Sequence, residues 1–406
     1  MGIERLSVRC CIAGGGPAGV MLGLLLARAG VKVLVLEKHA DFLRDFRGDT
    51  IHPSTLEVMH ELGLLERLLT LPHQKVPRIK GQVGDLALTV ADFSYLRTKC
   101  RFVAFMPQWD FLNLLAGEAA RYPTFQLRMR AEVTDLIEDA GCIVGLRAQQ
   151  ADGPLEIRAS LVVGADGRHS VVRARAGLSV EEFGAPMDVL WFRLSRQSGD
   201  PEDPIGRFDA GRIFIMLNRG EYWQCGFVIP KGSRDQLQAR GLPAFRESVG
   251  QLAPFAAKRV GEIQGWEPIK LLTVQVDRLR RWYRPGLLCI GDAAHAMSPV
   301  AGVGINLAIQ DAVAAANLLA APLHAGRLTT EDLRLVQDRR EWPTRMTQRV
   351  QLFIQNRVIS RVLSASEKFS PPLPFRLIAR FPFLAGIPAR LIGIGFRPEH
   401  IRTSRV

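Results

Sequence analysis

The stretch Ser7-Val-Arg-Cys-Cys-Ile-Ala-Gly14-Gly15-Gly16-Pro17-Ala18-Gly19 decides how this chain folds. Residues 7–13 read as a short apolar run, the pattern of a strand buried on both faces. Residues 17–29 have helical periodicity, with Pro17 suited to the first turn and Gly30 suited to a C-cap. Residues 31–36 form a second apolar run that ends on Glu37. Strand, glycine turn, helix and strand within about thirty residues make a βαβ unit.

The glycine spacing gives that unit a chemistry. Gly14 permits a tight turn, Gly16 lets backbone approach a pyrophosphate, and Gly19 lets the helix lie close on the strand. The helix N-terminus offers free N–H groups to phosphate. Glu37, at the end of the second strand, can accept from ribose hydroxyls, with Lys38 beside it. The set points to dinucleotide binding. An acid at this position suits FAD or NAD and disfavours NADP, and the fingerprint does not separate the first two.

Length and composition agree with a folded enzyme-sized chain. The 406 residues suffice for two domains or one elaborated α/β unit, and 47% hydrophobic with 23% charged residues excludes a disordered chain. The net charge of +13 comes largely from scattered arginines, and no nucleic-acid-binding motif accompanies it. The six cysteines show no metal-ligand spacing and sit mostly in apolar runs, as in a reduced, cytoplasmic protein. His52, His60 and His73 lack carboxylates at metal spacing, so no metal is expected. No run of about 18 uncharged apolar residues suggests a membrane span, and residues 1–13 lack a signal-peptide cleavage pattern.

Further along, residues 54–69 and 107–121 read as helices, and residues 125–163 as a run of strands. From 177 to 280 the pattern turns to strands at 189–195, 212–218 and 222–229, separated by helical segments and Pro/Gly turns. Residues 286–290 return to a buried strand, and 302–319 and 330–363 are helical, with Pro343 expected to kink or split the latter. The division expected is a dinucleotide-binding domain over 1–176 and 281–330, a substrate-binding sheet domain over 177–280 with contributions from about 70–106, and C-terminal helices with a basic apolar tail over 331–406.

Three further stretches carry a resemblance. Arg47-Gly-Asp-Thr-Ile-His-Pro-Ser-Thr-Leu-Glu-Val-Met-His-Glu-Leu-Gly-Leu-Leu resembles the arginine segment of the single-component FAD monooxygenases, the para-hydroxybenzoate hydroxylase-like family. Gly164-Ala-Asp166-Gly167 resembles their second motif, and Gly291-Asp292 with the loop through Asn306 their third. With the glycine fingerprint these occur in family order over residues 14 to about 311.

The resemblance implies an α/β fold: a Rossmann-like, glutathione-reductase-like FAD domain, an inserted mixed β-sheet substrate domain and a C-terminal helical tail. It implies FAD as cofactor and NADH or NADPH as transient co-substrate. Flavin hydroperoxide would then pass one oxygen from O2 to an aromatic or polyketide-like small molecule. Asp292 would meet a ribitol hydroxyl. Gly302, Gly304, Ile305 and Asn306 would present backbone N–H groups to the flavin pyrimidine at a helix start. Arg47 would lie near the pyrophosphate or flavin, and Pro299 near the reacting edge. Gln108 is a candidate ribitol or phosphate contact, and Asp166 either touches cofactor or caps the helix after it. His295 reads as a hydrogen-bonding residue at a strand–helix junction before it reads as a base. Trp191, Arg193, Phe214, Met216, Tyr222 and Trp223 are candidates for the substrate face.

Alternatives on the same scaffold stay open: a flavin-dependent halogenase, a prenyl-chain reductase, or a flavin-binding protein without turnover. The halogenase W-x-W-x-I-P signature is absent; Trp223-Gln-Cys-Gly-Phe-Val-Ile-Pro230 has the wrong spacing. The arginine-rich tail from Pro371 could touch an anionic membrane surface, but packing across the body or a dimer partner is preferred. Monomer and homodimer both remain open.

Overall fold

The computed structural model describes residues 3–43, 50–365 and 371–406. Its core is an eight-stranded sheet. Strand Glu4–Ala13 sits at the centre, parallel to Val33–Glu37 on one side and to Gly153–Gly164 on the other. Phe125–Met129 and Leu287–Cys289 extend the parallel set outward. Strands Cys142–Gln150 and Glu132–Asp139 add an antiparallel pair. Every residue of Val33–Glu37 is buried, which is why Val33 to Leu36 read as an unbroken apolar run before the acid.

Helix Pro17–Arg28 covers this sheet, buried from Ala18 to Ala27. A Cβ on Gly23 would lie 2.9 Å from both Phe125 and Val35, so glycine sets how closely the helix approaches. The helix ends as expected. Gly30 adopts φ +75°, and the Val31 N–H donates to Leu26 O at 3.0 Å, closing the last turn. Helix Gly304–His324 packs beside it. The apolar span Val300–His324 is long enough to cross a membrane, but 83% of its most apolar window is buried inside the protein, so it is a core helix.

The second sheet has seven strands. In spatial order they are Lys270–Leu272, Met187–Ser195, Tyr222–Pro230, Arg212–Asn218, Ile205–Asp209, Arg78–Val83 and Leu86–Asp92. All neighbours are antiparallel except Ile205–Asp209 with Arg78–Val83, which makes the sheet mixed. Helix Leu242–Leu252 and the 3-10 segment Pro254–Glu262 cover one face through Phe245, Val249, Leu252 and Ala256. The architecture is thus α/β, with a mixed second sheet and a helical C-terminal region.

Two helical expectations change. Residues 54–69 form two helices, Pro53–Glu61 and Leu65–Thr70. Gly63 takes φ +70°, and the Leu64 N–H donates to Met59 O at 2.8 Å, which closes the first helix. Pro343 does not split its helix, because Thr330–Ile354 runs through it; the irregularity falls later, at the π-helical turn Gln355–Ile359. The start of that helix is fixed by a capping box between Thr329 and Asp332.

Candidate active site

Three backbone-rich loops meet at the carboxyl ends of the parallel strands, the usual ligand edge of an open α/β sheet. A Cβ on Gly14, at φ +106°, would lie 2.3 Å from Ala165 O, so the first loop is pressed onto the second. A Cβ on Gly291 would lie 3.1 Å from that of Ala18, so the third loop meets the start of helix Pro17–Arg28. Gly19 is equally confined, its Cβ position 1.9 Å from Gly14 O. Gly16 differs, since a Cβ there would meet nothing within 4 Å. The same is true of Gly167 and Gly304. The confined glycines shape the loops, and the open ones leave backbone accessible.

Glu37 closes the first loop. Its carboxylate accepts from the Gly15 N–H at 3.0 Å and from the His39 N–H at 3.0 Å. Lys38 is exposed at the strand end, and Pro17 occupies the first turn of the helix. Gln108 is half-buried and begins helix Gln108–Ala119. Arg47 lies outside the described residues.

Asp166 resolves toward its capping role. Ser170 Oγ donates to Asp166 Oδ1 at 2.5 Å, and the Val172 N–H donates to Oδ2 at 3.1 Å. Burial raises its carboxyl pKa above the ordinary value, against those bonds. The carboxylate therefore orders helix Val171–Arg175, while the residue keeps partial exposure. Asp292 keeps a partly open carboxylate, 3.4 Å from Arg168 Nη2. Of the two motif aspartates, it is the one less committed to backbone N–H groups.

The third loop is held by residues from the segment after Arg47. Thr50 Oγ1 donates to Gly302 O at 3.0 Å, and Thr55 Oγ1 donates to Asn306 Oδ1 at 2.7 Å. Asn306 Nδ2 is buried and has no partner among the described residues. Pro299 precedes the 3-10 turn Val300–Gly302, where Ala301 and Gly302 both take positive φ. Ile305 is buried in the first turn of helix Gly304–His324. The arrangement fits FAD: open backbone at Gly16 for phosphates, an acceptor at Asp292 for a neutral polyol, and N–H groups at a helix start for ring carbonyls.

His52 bridges this loop region to the C-terminal segment, its Nδ1 lying 2.8 Å from Ile392 O. Burial lowers its pKa from 6.5 to about 4, against the raising effect of hydrogen bonds with Ile392 and Gly302. A histidine held neutral in the fold gives stability that is full above its unfolded value and lost as pH falls toward the folded one. Urea midpoints across that window should show a loss of about 3 kcal/mol in the wild type. In His52→Gln that slope should flatten; an unchanged slope would assign it to other groups.

Beneath the third loop lies a buried ionic network that motif reading did not assign. Asp311 accepts from the Gly291 N–H at 3.0 Å and contacts His295 Nε2 at 2.5 Å through Oδ2. Arg340 Nε donates to its Oδ1 at 3.0 Å. Arg340 also meets Glu399 at 3.5 Å, and Arg339 pairs with Glu399 at 2.7 Å. His295 thus fills the hydrogen-bonding role expected of it, in contact with Asp311 rather than exposed to a substrate.

The substrate candidates divide between two faces of the second sheet. Trp191, Arg193 and Tyr222 lie on one face, with Gln224, Gly226 and Ile215. Phe214, Met216 and Trp223 lie on the other, packed with Phe192 beneath helix Leu242–Leu252. This corrects the expectation for Phe214, Met216 and Trp223: they are core of the far face. Trp223 Nε1 is also engaged, donating to Asp200, which Arg259 holds through both guanidinium nitrogens at 2.6 and 2.7 Å. On the near face, the ring of Trp191 covers Gly226, whose Cβ position lies 3.0 Å from it. Trp191 and Val300 of the third loop both pack against one apolar cluster that includes Val189, Ile213 and Val228, and the buried Nε1 of Trp191 has no partner among the described residues. Arg193 stacks over Tyr222 at 4.7 Å. Among the described residues no group of three or more His, Cys, Asp or Glu could hold a metal.

Comparison with known proteins follows this geometry. Residues 7–350 match the family model described as FAD binding domain. The chain is 30% identical over 395 residues to 6-methylpretetramide 4-monooxygenase of Streptomyces rimosus, covering 97% of this chain and 94% of that protein. It is 31% identical over 310 residues to rifampicin monooxygenase of Streptomyces venezuelae, covering 74% of this chain and 61% of that one. The crystal structure of p-nitrophenol 4-monooxygenase from Pseudomonas putida shares the fold, with TM-score 0.77, 19% identity and 96% of each chain covered.

Proposed function

The chain belongs to the FAD binding domain family, and from that premise we propose that it is an NAD(P)H- and O2-dependent FAD monooxygenase. Its substrate would be an aromatic or polyketide-like small molecule, hydroxylated or epoxidised between the third loop and the Trp191 face. The reading rests above all on one observation: the three loops are tightly fitted to one another, yet open at Gly16, Gly167 and Gly304. FAD, when bound, supplies hydride acceptance and the activation of dioxygen.

The protein's own part is binding, orientation and exclusion of water. Gly16 and the start of helix Pro17–Arg28 would take the pyrophosphate, and Glu37 the adenosine ribose. Asp292 would accept from ribitol, and the N–H groups at Gly304, Ile305 and Asn306 would meet the flavin pyrimidine. Residues 1–176 and 281–330 would form the cofactor domain. Residues 177–280, with about 70–106, would form the substrate domain, and 331–406 the C-terminal helices and tail. The apolar cluster against which Val300 and Trp191 both pack would keep water from the site of oxygen transfer.

The test is the visible spectrum of the purified protein with chromatography of the released cofactor, then nicotinamide oxidation in air with fused-ring phenols. Bound FAD with substrate-stimulated, oxygen-dependent product formation supports the reading. Halide-dependent product identifies a halogenase, and oxygen-independent reduction of a prenyl chain a reductase. Flavin without turnover leaves a binding protein, and a colourless protein that takes up no FAD sinks the proposal.

Trp191 offers a narrower check. Its buried N–H suits an oxygen of the substrate. Trp191→Phe, which keeps a ring over Gly226, should raise KM by about tenfold, the worth of one hydrogen bond, with FAD content unchanged. An unaltered KM would remove Trp191 from substrate recognition.

A further inference from the structure

We propose that the C-terminal segment 373–391 seats this protein on an anionic lipid bilayer surface. The segment is built the wrong way round for a helix that only packs. In helix Gly386–Gly393 and the turn before it, the small residues Ala385, Ala389 and Gly393 face inward, one turn apart, and are buried. A Cβ on Gly393 would lie 3.0 Å from Leu96 and 3.1 Å from Phe93, so the backbone itself rests on the 3-10 turn that follows the edge strand Leu86–Asp92 of the second sheet. The large residues point away: Phe383 is 62% and Ile387 60% exposed. Helix Leu373–Arg380 buries no residue at all, and Leu373 is 65% exposed. Ordinary surface helices bury their large apolar residues and expose polar ones, and an apolar surface of this kind marks an interaction site.

Charge selects the partner. Between residues 373 and 398 the chain carries Arg376, Arg380, Arg390 and Arg397 and no acid. The next acid, Glu399, is buried against Arg339 and Arg340 and cannot neutralise this face. A second copy of the chain, placed symmetrically on the patch, would set arginine against arginine. A layer of phosphate headgroups over acyl chains answers both features, taking the guanidinium groups at its surface and the aromatic and aliphatic side chains a little deeper. The segment is also firmly joined to the body. Ile392 packs with Met297, Val303 and Leu307 beside the third loop, and the residues after it run back across the core, with Asn317 Nδ2 donating to His400 O at 2.8 Å. The expectation that the tail packs on the body therefore holds for its inner side, and the outer side remains to be covered.

The experiment is flotation of the full-length, flavin-loaded protein with vesicles of phosphatidylcholine alone or of equimolar phosphatidylcholine and phosphatidylglycerol. The wild type is expected to float with the anionic vesicles only, and less at high salt. Phe383→Ser with Ile387→Ser, and separately Arg376→Glu with Arg380→Glu, should each weaken partitioning by about tenfold or more. Because these side chains are exposed, flavin content and thermal midpoint should not change, so loss of binding is separable from misfolding. Wild-type protein that stays unfloated with both vesicles overturns the proposal, as does equal flotation of all variants. A dimer in sedimentation velocity that Phe383→Ser with Ile387→Ser dissolves would overturn it in favour of a second copy.

Discussion

Asp311→Ala is expected to destabilise the protein by about 3–5 kcal/mol, the cost of leaving a buried charge without its partner. That is a large share of the roughly 5–15 kcal/mol that holds a typical domain together, so the variant should be recovered largely without flavin. The reason lies in what the carboxylate does. It is wholly buried and serves the Gly291 N–H, His295 and Arg340 at once. Alanine leaves the Arg340 guanidinium, which is 1% exposed, with Glu399 at 3.5 Å and Arg397 O at 3.3 Å as its remaining partners among the described residues. It also frees the strand-end turn that aims Asp292. Urea unfolding gives the direct measure. The double variant Asp311→Ala with Arg340→Met should lose less than the two singles summed, because the buried Arg340 charge is removed together with its partner. Additive losses would show that the contact carries no coupling.

Acid should expose the same group. Burial alone would raise the Asp311 pKa, but the charges and hydrogen bonds of His295 and Arg340 outweigh it and hold the group below 3.8. A depressed carboxylate gives stability that is present above its unfolded pKa and lost as pH falls through the folded one. Its contribution therefore disappears below the window in which His52 acts, and the two transitions should separate in an acid titration.

What could be read beforehand was what is encoded locally. The glycine fingerprint, the buried strands on either side of it and the Gly30 cap each depend on neighbours within a few residues. The break at Gly63 is local too, but the apolar periodicity on both sides of it masked the glycine. The two-residue strand period grouped Trp191 with Arg193 and Phe214 with Met216, but a period does not say which face is closed into core. That was decided by helix Leu242–Leu252, which covers the Phe214 side, and by Gly226, which makes room for the Trp191 ring. Asp311 and Arg340 left no signal of this kind. They sit 29 residues apart on different helices, and only the crossing of those helices pairs them. His52 stood inside a motif-bearing segment, yet its partner, Ile392 O, is 340 residues away.

Gly16→Val should separate ligand binding from folding. In this loop Gly14 and Gly19 cannot accept a side chain, because a Cβ would fall 2.3 Å from Ala165 O at the first and 1.9 Å from Gly14 O at the second. Substituting either damages the loop itself, and loss of flavin would then be uninformative. At Gly16 the backbone is extended, with φ −74° and ψ −175°, a conformation any residue adopts. A Cβ there meets nothing within 4 Å. Valine should therefore leave the unfolding midpoint of the cofactor-free protein within about 0.5 kcal/mol of wild type, as for a substitution that touches nothing. It would, however, occupy the space through which backbone meets a pyrophosphate. FAD affinity, followed by quenching of flavin fluorescence, is expected to fall by about a hundredfold or more, equivalent to roughly 3 kcal/mol. A folded Gly16→Val protein that binds FAD like the wild type would mean that the open side of the fingerprint faces no ligand, and the cofactor site would have to be sought elsewhere.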